Sequence, residues 1–211
     1  PAVHEQLQRR LARLGFIAWG QDPDPNSGRT PLQLFMDGRA QAAYAVATFN
    51  LYMDILSAGP VPYQAARAGR PLKSEDYIEI GDWISTELRK YGIWVVLMPA
   101  SEFKKSFTRG LDYSNDWRVV YTDDKQKLFV DVKAPQGFAL YQGMLNGQAR
   151  YPCEYLANLA RGHNLLLYHQ DLAQKRQGLE CLIRALNEYP SPTSIEDMLF
   201  LGLHFPELQP R

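Results

Sequence analysis

The chain has 211 residues, enough for one good core with a small appendage. Hydrophobic residues make up 45% and charged residues 22%, the balance of an ordinary globular protein rather than a disordered one. Lys+Arg and Asp+Glu are equal at 23 each, so no basic excess points to nucleic acid or an anionic membrane surface. No apolar run reaches the roughly 18 residues that would span a bilayer.

The chain begins at Pro1, with no charged start leading into an apolar run, so it reads as a fragment or processed product without a signal peptide. Residues 3–14 carry Leu7, Leu11 and Leu14 at helical spacing, and residues 16–19 form a short apolar run. Residues 21–31, rich in Asp, Pro, Gly and Ser, read as a loop. Residues 32–36 are the first expected strand. They run into Asp37-Gly38-Arg39 and then a helix over 40–56, with Tyr44, Ala47, Leu51 and Ile55 on one face. Residues 59–71 hold several prolines and glycines and are expected to be a connection. A helix follows to residue 91, capped by Ser74 or Asp76, with Ile80, Trp83, Ile84 and Leu88 inward and Gly92 behind its C-terminus.

Residues 93–98 (Ile-Trp-Val-Val-Leu-Met) have the continuous apolar pattern of a strand buried on both faces. Ser101 is expected to cap a short helix bearing Phe103 and Phe107. Residues 117–121 and 128–132 form a hairpin around a turn at 122–125. Residues 137–152 read as loop or broken helix. Residues 153–170 and 171–189 read as helices broken near Gly162 and again at 169–171, with a last helix over 195–202. This order predicts an α/β fold: a three-layer mixed sheet with parallel crossover units and an antiparallel edge hairpin over residues 1–133. A helical extension over residues 134–211 packs on it.

In open α/β sheets, ligands bind beyond the carboxyl ends of strands, so Asp37 and Arg39 are candidate binding residues, with Tyr44 on the helix behind them. Arg39 has the fork to hold a carboxylate or phosphate, and Asp37 accepts from hydroxyls. The alternative is structural: Asp37 caps the helix and Arg39 pairs with a nearby acid. Asp123 is a weaker binding candidate, because Asp123-Asp124-Lys125 is ordinary turn chemistry. Trp117 and Tyr121 occupy alternate positions of one strand, so both would share a sheet face, either as core or as a platform for a sugar ring.

Asp22-Pro23-Asp24 imitates a metal-binding Asp-x-Asp pair but lacks a preceding nucleotide-binding unit. Neither a nucleophile elbow nor a glycine-rich phosphate loop is present, so no catalytic residue, metal site or cofactor is expected. The two cysteines, Cys153 and Cys181, are either free thiols or one disulfide between C-terminal helices, the latter requiring an oxidising compartment.

Several segments in order carry a family resemblance: Phe35-Met36-Asp37-Gly38-Arg39 with Tyr44, Asp82-Trp83, 88–97, 116–124 and Leu128-Phe129-Val130. Together, over residues 32–132, they resemble the soluble domain that follows the transmembrane helices of bacterial polytopic glycosyltransferase- or mannosyltransferase-like proteins. These proteins are similar to enzymes of lipid-linked-sugar-dependent protein glycosylation. Residues 173–190 also look like the second half of a tetratricopeptide repeat ending in its proline.

The resemblance implies a periplasmic, extracytoplasmic location and an amino-terminal membrane region that carries any catalytic carboxylates. It implies a non-catalytic accessory domain whose partners are its own transmembrane region and a protein or glycan acceptor. Two readings of other classes stand beside it: a protein-interaction module opening a repeat array, and a stand-alone small-molecule enzyme using the Asp37/Arg39 loop.

Overall fold

The computed structural model describes residues 45–169 and 171–189, together with Pro25. The expected elements at 3–14, 16–19, 32–36 and 195–202 lie outside these residues, as do Asp37, Arg39 and Tyr44. The chain divides into two compact units at Asp54/Ile55. In the first unit the described residues begin a helix, α1 (Val46–Leu56), that runs across the division.

The second unit mixes helices with a small sheet. Its order is α2 (Pro60–Arg67), α3 (Ser74–Lys90), β1 (Val95–Pro99), a 3-10 turn (Ala100–Glu102), α4 (Ser106–Tyr113), β2 (Trp117–Thr122), β3 (Gln126–Asp131), α5 (Pro135–Leu145), α6 (Glu154–Tyr168) and α7 (Leu172–Glu188).

Helix α2 falls where the sequence predicts only a connection. Its prolines sit in the first turn, where a missing N–H costs nothing and a fixed φ favours the helix. Gly59 before it has φ 71°, and a Cβ there would meet the Trp83 ring at 2.6 Å, so the entry requires glycine twice over. Helix α3 has Lys73 at its N-cap. Asp76, at the third helical position, reaches back to accept the Lys73 N–H at 2.7 Å. Neither Ser74 nor Asp76 is itself the N-cap. Gly92, with φ 66°, closes α3 as expected, and the Ile93 N–H donates to the Leu88 carbonyl.

The sheet order is β1-β3-β2, and both pairings are antiparallel. Among the described residues, neither pairing is the parallel one expected from crossover units. β1 and β2 run the same way, joined through α4, but β3 inserts between them as in a split β-α-β unit. The sheet order corrects the expected place of β1. Among the described residues β1 has a single neighbour strand, and Leu97 is 41% exposed, so this is not a strand buried on both faces. Phe103 belongs to no capped helix. It follows the 3-10 turn, and α4 begins at Ser106 with Phe107 and Leu111 buried.

One face of the sheet, with Val95, Leu128 and Val130, packs on Tyr141, Met144 and Leu145 of α5 and Ala160 and Leu165 of α6. The other face carries Trp117 and Phe129, both fully buried, and the Trp117 indole donates to Ser85 of α3 at 3.0 Å. A bulge lies between Val119 and Tyr121: Val119 pairs with Phe129, whereas Tyr121 pairs with Leu128. The extra residue turns Tyr121 to the face opposite Trp117, which overturns the shared aromatic face expected from their alternate spacing.

Residues 135–145 form α5, the helical one of the two alternatives left open for this segment, with Pro135 in its first turn. Helix α6 passes unbroken through Gly162. It belongs to the core through Ala160 and Leu165, and Asn164 reaches over to donate to the β2 carbonyl of Val119 at 2.6 Å. Helix α7 is capped by Asp171, whose side chain accepts the Gln174 N–H. It packs back on α6 through Leu159, Leu166, Leu182 and Ala185.

Candidate functional site

A cleft of about 460 Å³ opens where α3 ends, β1 begins, β3 ends and α5 starts. It is lined by Arg89, Gly92, Ile93, Trp94, Asp131, Lys133, Ala134 and Gln136. Local chemistry brings these elements together. The Asp131 N–H donates to the Trp94 carbonyl at 2.8 Å, extending the β1–β3 ladder to the cleft floor. A Cβ on Gly137 would collide with the Asp131 carbonyl oxygen, so only glycine lets the first turn of α5 approach the end of β3 so closely.

The organising group is Arg89, in the last turn of α3. Its Nε donates to Asp131 Oδ2 at 2.7 Å and its Nη2 to Asp131 Oδ1 at 2.9 Å, a two-point fork on one carboxylate. The same Nη2 donates to Asp116 Oδ2 at 2.7 Å. Asp131 Oδ1 also accepts the Lys133 N–H at 2.8 Å. The Asp131 side chain is only 1% exposed, so its charge depends on these partners, whereas Arg89 is 38% exposed and faces the cleft. The Asp131 hydrogen bond, followed by that from Asp116, holds the Arg89 guanidinium firmly protonated. Lys133 and Gln136 are exposed on the rim.

Of the residues singled out in the sequence, Asp37, Arg39 and Tyr44 lie outside the described residues, and Asp123 is far from this cleft in role. Asp123 fixes the β2–β3 turn. Its carboxylate accepts the Lys125 and Gln126 N–H groups at 2.8 and 2.7 Å and the Tyr121 hydroxyl at 2.8 Å. Burial, then the bond to Asp123, pushes the Tyr121 hydroxyl up to about 12. Cys153 is exposed and Cys181 buried, and both are free thiols, so the bridge left open by the sequence is not formed. Burial raises the Cys181 thiol above its ordinary value, which keeps it protonated and unreactive.

Other polar groups inside the fold serve packing. Arg70 forks onto Asp76 at 2.6 and 2.8 Å, and this bond, followed by the Lys73 N–H, lowers the Asp76 carboxyl to about 2. Arg118 lies 3.9 Å over the Tyr168 ring. Asp112 pairs with Lys127 at 3.1 Å, yet burial outweighs that attraction and raises its carboxyl.

Among the described residues no group of three or more His, Cys, Asp or Glu is arranged to hold a metal ion, and no helix is long and apolar enough to cross a membrane. Sequence reasoning missed Arg89, Trp94, Asp131, Lys133 and Gln136 as a site. Arg89 reads locally as a cation favouring a helix C-terminus, and its tie to Asp131 spans 42 positions, with no motif between them. The one visible signal is a lone acid, Asp131, directly after the apolar run Leu128-Phe129-Val130.

Compared with known proteins, the chain matches no family, no curated sequence and no solved structure. The site and fold define a mixed helix-and-strand domain with an open cleft lined by both apolar and charged residues.

Proposed function

We propose that this chain is a non-catalytic extracytoplasmic accessory domain of a polytopic, glycosyltransferase-like membrane protein, which positions an acceptor for its own transmembrane region. The observation that carries the reading is the Arg89 fork. Asp131, the carboxylate of the cleft lining, and the neighbouring Asp116 are engaged by one guanidinium, an arrangement that fixes geometry rather than freeing a base or nucleophile. Such a rigid, open cleft suits holding a substituent of an acceptor while chemistry occurs elsewhere. The order of segments from residue 82 to residue 130 supports the same family likeness. The finer architecture suggested by the chain order, a three-layer mixed sheet with parallel crossovers, is part of this proposal and requires strands from outside the described residues.

A second reading, a protein-interaction module opening a helical repeat array, is favoured by one observation. Helices α6 and α7 form a tightly packed hairpin, with Leu172 and Ile183 exposed on its second helix and Tyr189 exposed at the C-terminal cap.

The gene decides between them. Under the accessory reading the reading frame upstream of Pro1 encodes many hydrophobic spans, and removing this domain from the full-length protein raises the acceptor KM. A frame beginning at Pro1 overturns that reading. Repeats of about 34 residues following Arg211 support the second.

A further inference from the structure

We propose that the cleft at Arg89 and Trp94 binds one pyranose unit of a neutral saccharide. The proposal deepens the accessory reading and rests on it for the idea that the cleft meets an acceptor.

Charge comes first. The lining carries two positive charges, Arg89 and Lys133, and one negative charge, Asp131; Asp116, outside the lining but accepting from Arg89 Nη2 at 2.7 Å, adds a second negative charge beside it. With Asp116 counted, the positive and negative charges balance, so little net charge is left to repay the desolvation of an ion, and a polar but uncharged ligand fits better.

Hydrogen-bonding capacity comes next. A guanidinium has five N–H donors. Arg89 spends Nε and Nη2 on the two carboxylates, and its Nη1 has no acceptor among the described residues. The Trp94 indole N–H, the Lys133 ammonium and the Gln136 amide likewise have no side-chain hydrogen-bond partner among the described residues. Gln136 offers an acceptor as well as donors. A ring of hydroxyls, each donor and acceptor at once, matches this set; a hydrocarbon does not.

Shape and stiffness agree. Ile93, Trp94 and Ala134 add an apolar lining suited to the C–H face of a sugar ring. Trp94 is anchored because it packs against the core cluster of Val130, Tyr141 and Met144, and Arg89 is held by three hydrogen bonds. Both groups are in place before a ligand arrives, which lowers the ordering cost of binding. The volume of about 460 Å³ lies within the range of small-molecule sites.

The test is a titration of the whole chain with methyl α-mannopyranoside, methyl α-glucopyranoside and glucuronate. It is followed by saturation-transfer NMR and by the Trp indole N–H resonances. The expected result is saturation transfer from the neutral glycosides, insensitive to added salt, with one indole resonance shifting that is absent in Trp94→Phe. Lys133→Ala with Gln136→Ala, both at exposed positions, should weaken binding about tenfold without altering the circular dichroism spectrum.

No transfer from either neutral glycoside overturns the proposal. So does tighter, salt-sensitive binding of glucuronate, which would make this an anion site, and so does equal binding by the double variant. The accessory reading fails separately, on the absence of upstream membrane spans.

Discussion

Gly162 of α6 and Gly178 of α7 meet face to face. A Cβ on Gly162 would lie 2.9 Å from the Gly178 carbonyl oxygen, and a Cβ on Gly178 would lie 3.0 Å from the Gly162 carbonyl oxygen. The first would also strike Leu182 at 2.7 Å and the second Leu166 at 2.9 Å. The two helices approach this closely because neither has a side chain at the crossing.

Gly162→Ala and Gly178→Ala should therefore each destabilise the fold by about 1–3 kcal/mol in urea unfolding, despite the better helix propensity of alanine. Their effects should not add, because either substitution forces the same separation. Gly143→Ala in α5 is the control. Nothing lies within 4 Å of a Cβ there, and stability should rise by up to about 1 kcal/mol.

Removing Arg89 leaves the buried Asp131 carboxylate without its fork. Arg89→Ala should cost about 3 kcal/mol, the low end for breaking a buried pair, because Arg89 itself keeps contact with water. Arg89→Lys should recover only part of this loss, since an ammonium cannot make both parallel bonds to Asp131. A thermal melt of the three proteins checks the order parent, Lys, Ala.

Acid stability should show the Arg70–Asp76 pair. The Asp76 carboxyl is lowered to about 2 in the fold, against about 3.9 in an unfolded chain. A lowered value means the unfolded state binds the proton more readily. The contribution is thus complete above pH ~4 and is lost as pH falls through about 2. In Arg70→Ala, carboxyl NMR should find Asp76 titrating closer to the ordinary value, with the Lys73 N–H bond still lowering it somewhat. An unchanged titration would mean that Arg70 does not hold this carboxylate.

The sheet order can be checked by charge placement. Leu97 on β1 is 41% exposed, so Leu97→Lys should change stability by no more than about 0.5 kcal/mol. Phe129 on the central strand is fully buried, so Phe129→Asp should abolish cooperative unfolding. Equal tolerance at the two positions would contradict the order β1-β3-β2.

Local pattern alone was sufficient for α3, the β2–β3 hairpin and α7. The inward positions Ile80, Ile84 and Leu88 are buried as their spacing predicts, and the Asp123 turn lies between two short β-prone runs. Each of these signals arises within a few residues, where backbone propensity and side-chain periodicity are set. Local pattern also misled. Proline and glycine read as breakers in α2, α5 and α6, whereas first-turn prolines and a crossing glycine are compatible with helix.

Tertiary structure alone decided strand direction, the place of β1, the side on which Tyr121 emerges, and the cleft itself. Each depends on partners distant in sequence. The apolar run of β1 reports that it is partly covered, not how many strands flank it. One bulged residue reverses Tyr121 without any change in residue type. Arg89 and Asp131 become a site only because α3 ends where β3 ends, a meeting across 42 positions that long-range packing brings about.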